Sequence, residues 1–137
     1  MAVIQELIRT EKDGTISFGD YSLEAKAKLD NFEYNGDLYK VKTFGEITKL
    51  ERNGMFVYES VPGTSVMELS ITEDGMTFTV EGNEDAEITL GLEEEKNYEI
   101  SVDGAAVGQM KTNLGGKLTL SVELESGKAV RVAVKRA

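Results

Sequence analysis

The chain has no cysteine, no histidine and no tryptophan, and Pro62 is the single proline in its 137 residues. Without cysteine there is no disulfide, no thiolate nucleophile and no zinc–sulfur site. Without histidine the chain lacks the side chain that titrates near neutral pH and binds metals most often, which excludes Ser-His-Asp, Cys-His and HExxH machinery. We therefore expect a non-enzymatic protein with no cofactor and no metal site.

Positive charge is also scarce, because 15 Lys and Arg face 25 Asp and Glu and give a net charge of −10. Nucleic-acid affinity comes mostly from neutralised phosphates, and anionic membranes attract basic surfaces, so neither is an expected partner. Apolar runs are too short to cross a bilayer. The first residues carry Glu6 and Glu11 in place of an apolar signal segment, so we expect a cytoplasmic location.

Five Asx-Gly dipeptides stand at residues 13–14, 35–36, 53–54, 74–75 and 103–104. A type I′ turn needs positive φ at both central residues, and Asn-Gly and Asp-Gly supply it most readily. Used as hairpin turns, three of the dipeptides predict cross-strand pairs. These pairs are Phe32 with Tyr39, Leu50 with Val57, Leu69 with Val80, and Ile71 with Phe78.

Apolar residues alternate with polar ones in the rest of the chain, as along 118–124. The valines of 130–134 alternate in the same way after the Ser126-Gly127 turn, which predicts that the two segments pair. A period of 2 indicates strands. The segment 22–30 has a helix-like composition and a strand-like alternation, and we favour a strand. The sequence thus predicts an all-β fold of about a dozen short strands joined mostly as consecutive antiparallel hairpins.

One conspicuous break in the pattern is Val61-Pro62-Gly63. Eight of the ten aromatic residues lie before it. We predict a boundary there between two small β-sandwich or barrel-like units that share an interface. Residues 1–63 would be an aromatic-rich β unit, and residues 64–137 an immunoglobulin-like β-sandwich unit.

The stretch ITLGLEEEKNYEISVDG (88–104) resembles the tyrosine corner of fibronectin type III and other immunoglobulin-like sandwiches, although the usual proline of the corner loop is missing. The resemblance implies that the Tyr98 hydroxyl hydrogen-bonds to the backbone just upstream. The following VDGAAVGQMKTNLGGKLTLSVEL resembles closing strands of small sandwiches appended to bacterial carbohydrate enzymes.

The whole chain, notably EITKLERNGMFVYESVPGTSV (46–66), also resembles short uncharacterised β-rich proteins of anaerobic Gram-positive bacteria, some of them labelled endosialidase-like. The resemblance implies a bacterial β-protein. The chain offers no motif onto which a sialidase residue can be placed, so no sialidase activity is implied.

The aromatic residues of the first segment suggest a binding face, for which the candidates are Phe32, Tyr34, Tyr39, Phe56 and Tyr58. Packing of these rings into the core is the alternative. The leading hypothesis is a structural or protein-interaction module that associates with itself or with another protein through this face. The alternative is a carbohydrate-binding module. A glycan hydrolase is a third hypothesis, and it would need a cleft with two carboxylates and an arginine.

Charges are distributed unevenly, with twelve acids and one base in 68–103, then six bases and two acids in 104–137. This polarity would either steer head-to-tail contacts between molecules or place acidic strands beside basic ones in one sheet. The acidic stretch EGNEDAE (81–87) matches no calcium loop, and we interpret it as a solvated turn.

Overall fold

The structure is a computed structural model that describes residues 3–137, and every regular secondary-structure element in that range is a β-strand. None of these residues belongs to a helix long and apolar enough to span a bilayer. The thirteen strands are β1 (Ile8–Thr10), β2 (Ile16–Phe18), β3 (Ala27–Tyr34), β4 (Asp37–Phe44), β5 (Ile47–Arg52), β6 (Met55–Val61), β7 (Ser65–Thr72), β8 (Gly75–Glu81), β9 (Ala86–Gly91), β10 (Asn97–Val102), β11 (Ala105–Lys111), β12 (Lys117–Val122) and β13 (Val130–Arg136).

The strands form two sheets in which all neighbours are antiparallel. Sheet 1 has seven strands in the order β1-β2-β7-β8-β13-β10-β11, and sheet 2 has six in the order β12-β9-β6-β5-β4-β3. Six of the connections are hairpins between neighbouring strands in sequence, and the others pass from one sheet to the other. The predicted all-β fold of antiparallel hairpins is confirmed.

The apolar faces of the two sheets meet in one hydrophobic core. At its centre the ring of Tyr58 in sheet 2 lies between Phe18 and Phe78 of sheet 1, with centroid distances of 5.3 and 5.6 Å and nearly perpendicular planes. Edge-to-face pairs of this kind add to the stabilisation from burial alone. Alternation with period 2 explains the packing, because every second side chain of β9 and β12 is buried.

The predicted boundary at residue 63 falls where the chain passes from β6 in sheet 2 to β7 in sheet 1. Residues 1–63 supply β1 and β2 to sheet 1 and β3–β6 to sheet 2, and residues 64–137 supply the remaining strands of both sheets. Ladders β2–β7 and β6–β9 join the two segments. Each sheet and the core therefore contain residues from both segments.

Three Asx-Gly dipeptides form type I′ turns. The φ values are positive at both residues of Asn35-Gly36, Asn53-Gly54 and 103–104. Phe32 pairs with Tyr39, as predicted. The predicted pairing of Leu50 with Val57 is wrong, because an irregularity after Leu50 shifts β6 by one residue and brings Tyr58 opposite it.

The Asp74-Gly75 register was predicted wrongly. The turn residues are Glu73 and Asp74, and Gly75 already pairs with Thr72 at the start of β8. A Cβ on Gly75 would lie 1.9 Å from the backbone oxygen of Val134. The glycine is thus required for the close approach of β13. With this turn Ile71 pairs with Met76, and a further irregularity between Met67 and Ser70 makes Val66 the partner of Val80.

The predicted strand over 22–30 begins only at Ala27. Residues 22–26 are irregular because the Asp20 carboxylate accepts hydrogen bonds from the backbone and hydroxyl of Ser22 and turns the chain. The backbone of Gly45 then donates to the Leu23 carbonyl at 2.9 Å. A second correction concerns β12 and β13, which lie in different sheets and are not paired through the Ser126-Gly127 turn.

Candidate functional site

The five aromatic residues predicted as a binding face do not share one exposed surface. Tyr39 and Tyr58 are core residues, 5% and 0% exposed. Phe32 and Tyr34 are partly buried and pack against the same core. Phe56 lies on the outer side of sheet 2, beside the amines of two lysines. The core-packing alternative therefore holds for Tyr39 and Tyr58, which are not accessible to a partner.

The Tyr58 hydroxyl belongs to a buried polar network where the chain crosses between the sheets. It shares a hydrogen bond of 2.7 Å with the Thr64 hydroxyl, which also contacts the Ser60 hydroxyl at 2.7 Å. The Thr48 hydroxyl donates to the Thr64 carbonyl at 2.7 Å and contacts the Thr43 hydroxyl at 2.8 Å. Burial raises the pKa of Tyr58 far above its usual range, so this phenol stays neutral and structural.

The Tyr98 side chain makes the contact that the tyrosine-corner resemblance implied. Its hydroxyl accepts a hydrogen bond from the backbone N–H of Glu93 at 3.2 Å. The Thr112 hydroxyl donates to the carbonyl of the same Glu93 at 2.6 Å. These two bonds fix the acidic loop between β9 and β10 to the end of β11, while the family resemblance itself stays a prediction.

We expect Tyr98→Phe to lower the free energy of unfolding by about 1 kcal/mol, because the backbone N–H of Glu93 loses its partner in a part-buried hydrogen bond. Urea unfolding would measure the change. Tyr34→Phe is the matched control, since its hydroxyl makes only an exposed bond of 3.3 Å to the Gly14 carbonyl. An equal effect of the two substitutions would contradict the role assigned to Tyr98.

The uneven charges meet within sheet 1. Glu99 of β10 lies opposite Lys135 of β13, and the Arg136 guanidinium contacts the Glu93 carboxylate at 2.8 Å. The acidic and basic strands are thus neighbours in one molecule. In the acidic 81–87 stretch, the Asp85 carboxylate accepts the Leu124 N–H at 3.0 Å. No group of three or more acids among residues 3–137 is placed to hold a metal ion.

An open cleft of about 640 Å³ at one end of the sandwich contains Arg52 and the acids Asp37, Glu73 and Glu93. These are the residue types that a hydrolase would need. A general acid also needs an apolar environment that keeps it protonated. Glu73 and Glu93 are exposed, and Asp37 is half-buried and accepts a hydrogen bond of 2.8 Å from the Asn53 amide. The cleft thus supplies carboxylates but no desolvated one.

A different surface opens where β11 ends sheet 1. Tyr98 and Ile100 of β10 are buried, but their partners across the ladder, Met110 and Gly108 of β11, are exposed. All seven residues of β11 are exposed, and Val107 is 63% exposed. A Cβ on Gly108 would meet no atom within 4 Å. Sheet 2 therefore covers β10 and leaves the inner side of β11 open.

A groove of about 510 Å³ runs between this strand and β12, the neighbouring edge of sheet 2. Its floor is apolar and its rim is acidic. The floor comprises Val102, Val107, Val122, Leu124 and Val130, and the rim comprises Asp85, Asp103, Glu123 and Glu125 with Lys128 as its one cation. We call this surface the open edge. Four acids against one lysine make it favourable for a cationic partner.

Edge strands attract foreign strands unless something blocks pairing. In the described part of the chain β1 has three residues, and β3 and β11 each contain a register irregularity. β12 pairs with β9 over six residues without a shift, and none of its residues has positive φ. Among the four sheet edges of residues 3–137, β12 alone is both regular and long.

Sequence reasoning missed the open edge. The signal available was the stretch AAVGQMK (105–111), which lacks the alternating apolar pattern of the other strands. A strand without a buried face indicates a sheet that extends past its covering layer. No family model, no curated protein and no solved structure matches this chain.

Proposed function

We propose that this protein is a non-enzymatic protein-interaction module whose open edge binds an extended segment of another protein. The segment adds to sheet 2 beside β12, and its backbone pairs with the groups of β12 that face away from β9. The observation that supports this most is the regular β12 edge beside an uncovered β11; among the described residues of this edge only Lys117, at the start of β12, has its backbone bonded to the preceding loop, through Asn113. β-augmentation of this kind takes affinity from main-chain hydrogen bonds and specificity from alternate side chains.

The chemistry of the groove defines the partner. Alternate side chains of an added strand would point at the apolar floor around Val107 and Val122. The remaining side chains and the strand ends would lie near the acidic rim, where lysine or arginine is favoured. The partner segment thus alternates apolar and basic residues and is extended before or upon binding.

A labelled synthetic peptide tests the proposal. We expect the fluorescein-labelled peptide KVTVKVTVK to bind with an affinity that falls as salt is raised, and the matched peptide EVTVEVTVE to bind at least tenfold more weakly. Fluorescence anisotropy measures both. Hydrogen exchange should show new protection of those backbone amides in 118–122 that face away from β9, because they gain partners, whereas the Lys117 amide is already bonded to Asn113.

Two valines provide a matched pair of variants. Val107→Ser should weaken binding of the basic peptide several-fold, because Val107 lines the groove. Val61→Ser should leave binding unchanged, since Val61 is 51% exposed on β6, is separated from β12 by β9, and does not line the groove. Equal binding of both peptides, or exchange protection outside β12, would refute the proposal. A stable homodimer that Val107→Ser disrupts would also refute it and assign the edge to a second copy.

A further inference from the structure

Three lysines lie in a row across the outer face of sheet 2. Lys28 of β3 is directly opposite Lys42 of β4, and Lys42 is directly opposite Lys49 of β5. Lys40 stands two residues from Lys42 on the same face of β4. Together with Glu51 these four lysines line one shallow groove. We call the four lysines, Lys28, Lys40, Lys42 and Lys49, the lysine row.

The lysine row lowers the stability of the folded protein when no ligand is bound. Like charges directly opposite each other on neighbouring strands are destabilising. The chain has 25 acids, yet among residues 3–137 only Lys49 of the row has an ion pair, 3.6 Å from Glu51. Two glutamates lie nearby, since Glu51 is opposite Lys40 and Glu59 is opposite Lys49. Four lysines against two glutamates leave a positive patch on a molecule whose net charge is −10.

We propose that the lysine row binds a linear acidic polysaccharide whose carboxylates replace the missing countercharges. Neighbouring strands are about 4.8 Å apart, so Lys28, Lys42 and Lys49 present one cation per strand at that spacing. A sugar ring spans a similar distance, and a chain with one carboxylate per sugar would match the row when it lies across the strands. The inference is independent of the open edge and gives the carbohydrate-binding alternative a site.

Two features favour a polysaccharide over nucleic acid. The row contains only lysines, which act as point charges and lack the forked geometry that arginine offers to phosphate. The net charge of −10 also repels a densely charged phosphate backbone more than a sparsely charged glycan. Along the same outer face, the amine of Lys117 lies 4.6 Å from the centre of the Phe56 ring. A longer glycan would extend beyond the lysine row and also contact Lys117 and Phe56.

Polygalacturonate is the probe that tests this site. Isothermal titration calorimetry should show binding at low ionic strength that weakens steeply with added salt. Lys42→Gln should lower the affinity several-fold, and Lys28→Gln/Lys42→Gln at least tenfold. Lys12→Gln/Lys111→Gln is the matched control, because it removes two exposed lysines away from the row, and it should leave affinity within twofold.

Stability supplies a second readout. Lys42→Gln should raise the Tm by about 1–3 °C without ligand, because it relieves the opposed like charges. No binding of polygalacturonate at low salt would overturn the proposal, as would an equal loss of affinity in the control variant. Binding of a 20-base-pair duplex as tightly, with the same dependence on Lys28 and Lys42, would overturn it in favour of nucleic acid.

Discussion

Expressed separately, residues 1–63 and residues 64–137 will each remain unfolded, and mixing them will restore the sandwich. Ladders β2–β7 and β6–β9 cross the division, so each fragment loses pairing in both sheets. Each fragment also exposes the core residues that it contributes. Tyr58 in the first fragment would lose its contact with Phe78 in the second, which has a centroid distance of 5.6 Å.

Far-UV circular dichroism and amide NMR spectra measure this directly. Each fragment alone should give a disordered spectrum, and an equimolar mixture should recover the strand signal and the dispersed amides of the intact chain. The intact chain at the same concentration is the control. Cooperative unfolding of either fragment alone would instead support the division into two units that the sequence suggested.

Thr64→Val will lower the free energy of unfolding by about 2–4 kcal/mol, because it keeps the shape of the side chain but removes the hydroxyl that bonds to two other buried hydroxyls. Those hydroxyls belong to Tyr58 and Ser60, which are both 0% exposed and both bonded to the Thr64 hydroxyl. Water does not reach these buried hydroxyls, so it cannot replace the hydrogen bonds that they lose. Urea unfolding monitored by circular dichroism gives the free energy.

A matched threonine provides the control. Thr119 shares a hydrogen bond of 2.9 Å with Thr89 on the exposed face of sheet 2, and Thr119→Val should change stability by less than about 0.5 kcal/mol. Tyr58→Phe/Thr64→Val should cost less than the sum of the two single changes, because the double variant removes both partners. Additive losses, or a neutral Thr64→Val, would contradict the network.

Local turn chemistry made much of the fold predictable. Asn35-Gly36 supplies positive φ at two successive residues, and this local turn sets the pairing of Phe32 with Tyr39 without any long-range contact. The same rule failed at Gly75, where glycine serves the close approach of Val134 on β13. A glycine required by a neighbouring strand and a glycine required by a turn have the same signature in the sequence.

The candidate surfaces were less predictable than the fold. Aromatic rings suggested a binding face, but Tyr39 and Tyr58 alternate into the core, and period 2 on one strand does not say which face is covered. The net charge of −10 is a sum over the whole chain, so it did not indicate the local positive charge of the lysine row. The row exists because the irregularity after Leu29 sets the register that brings Lys28 opposite Lys42.

The sequence alone determined that this chain is a series of short antiparallel strands, because alternation and Asx-Gly turns act between residues close in sequence. Only the tertiary structure decided the order of the strands, the edges left unpaired and the charges that meet across the strands. Those features depend on ladders between distant segments such as β6 and β9, and on irregularities that shift a strand by one residue and exchange its two faces.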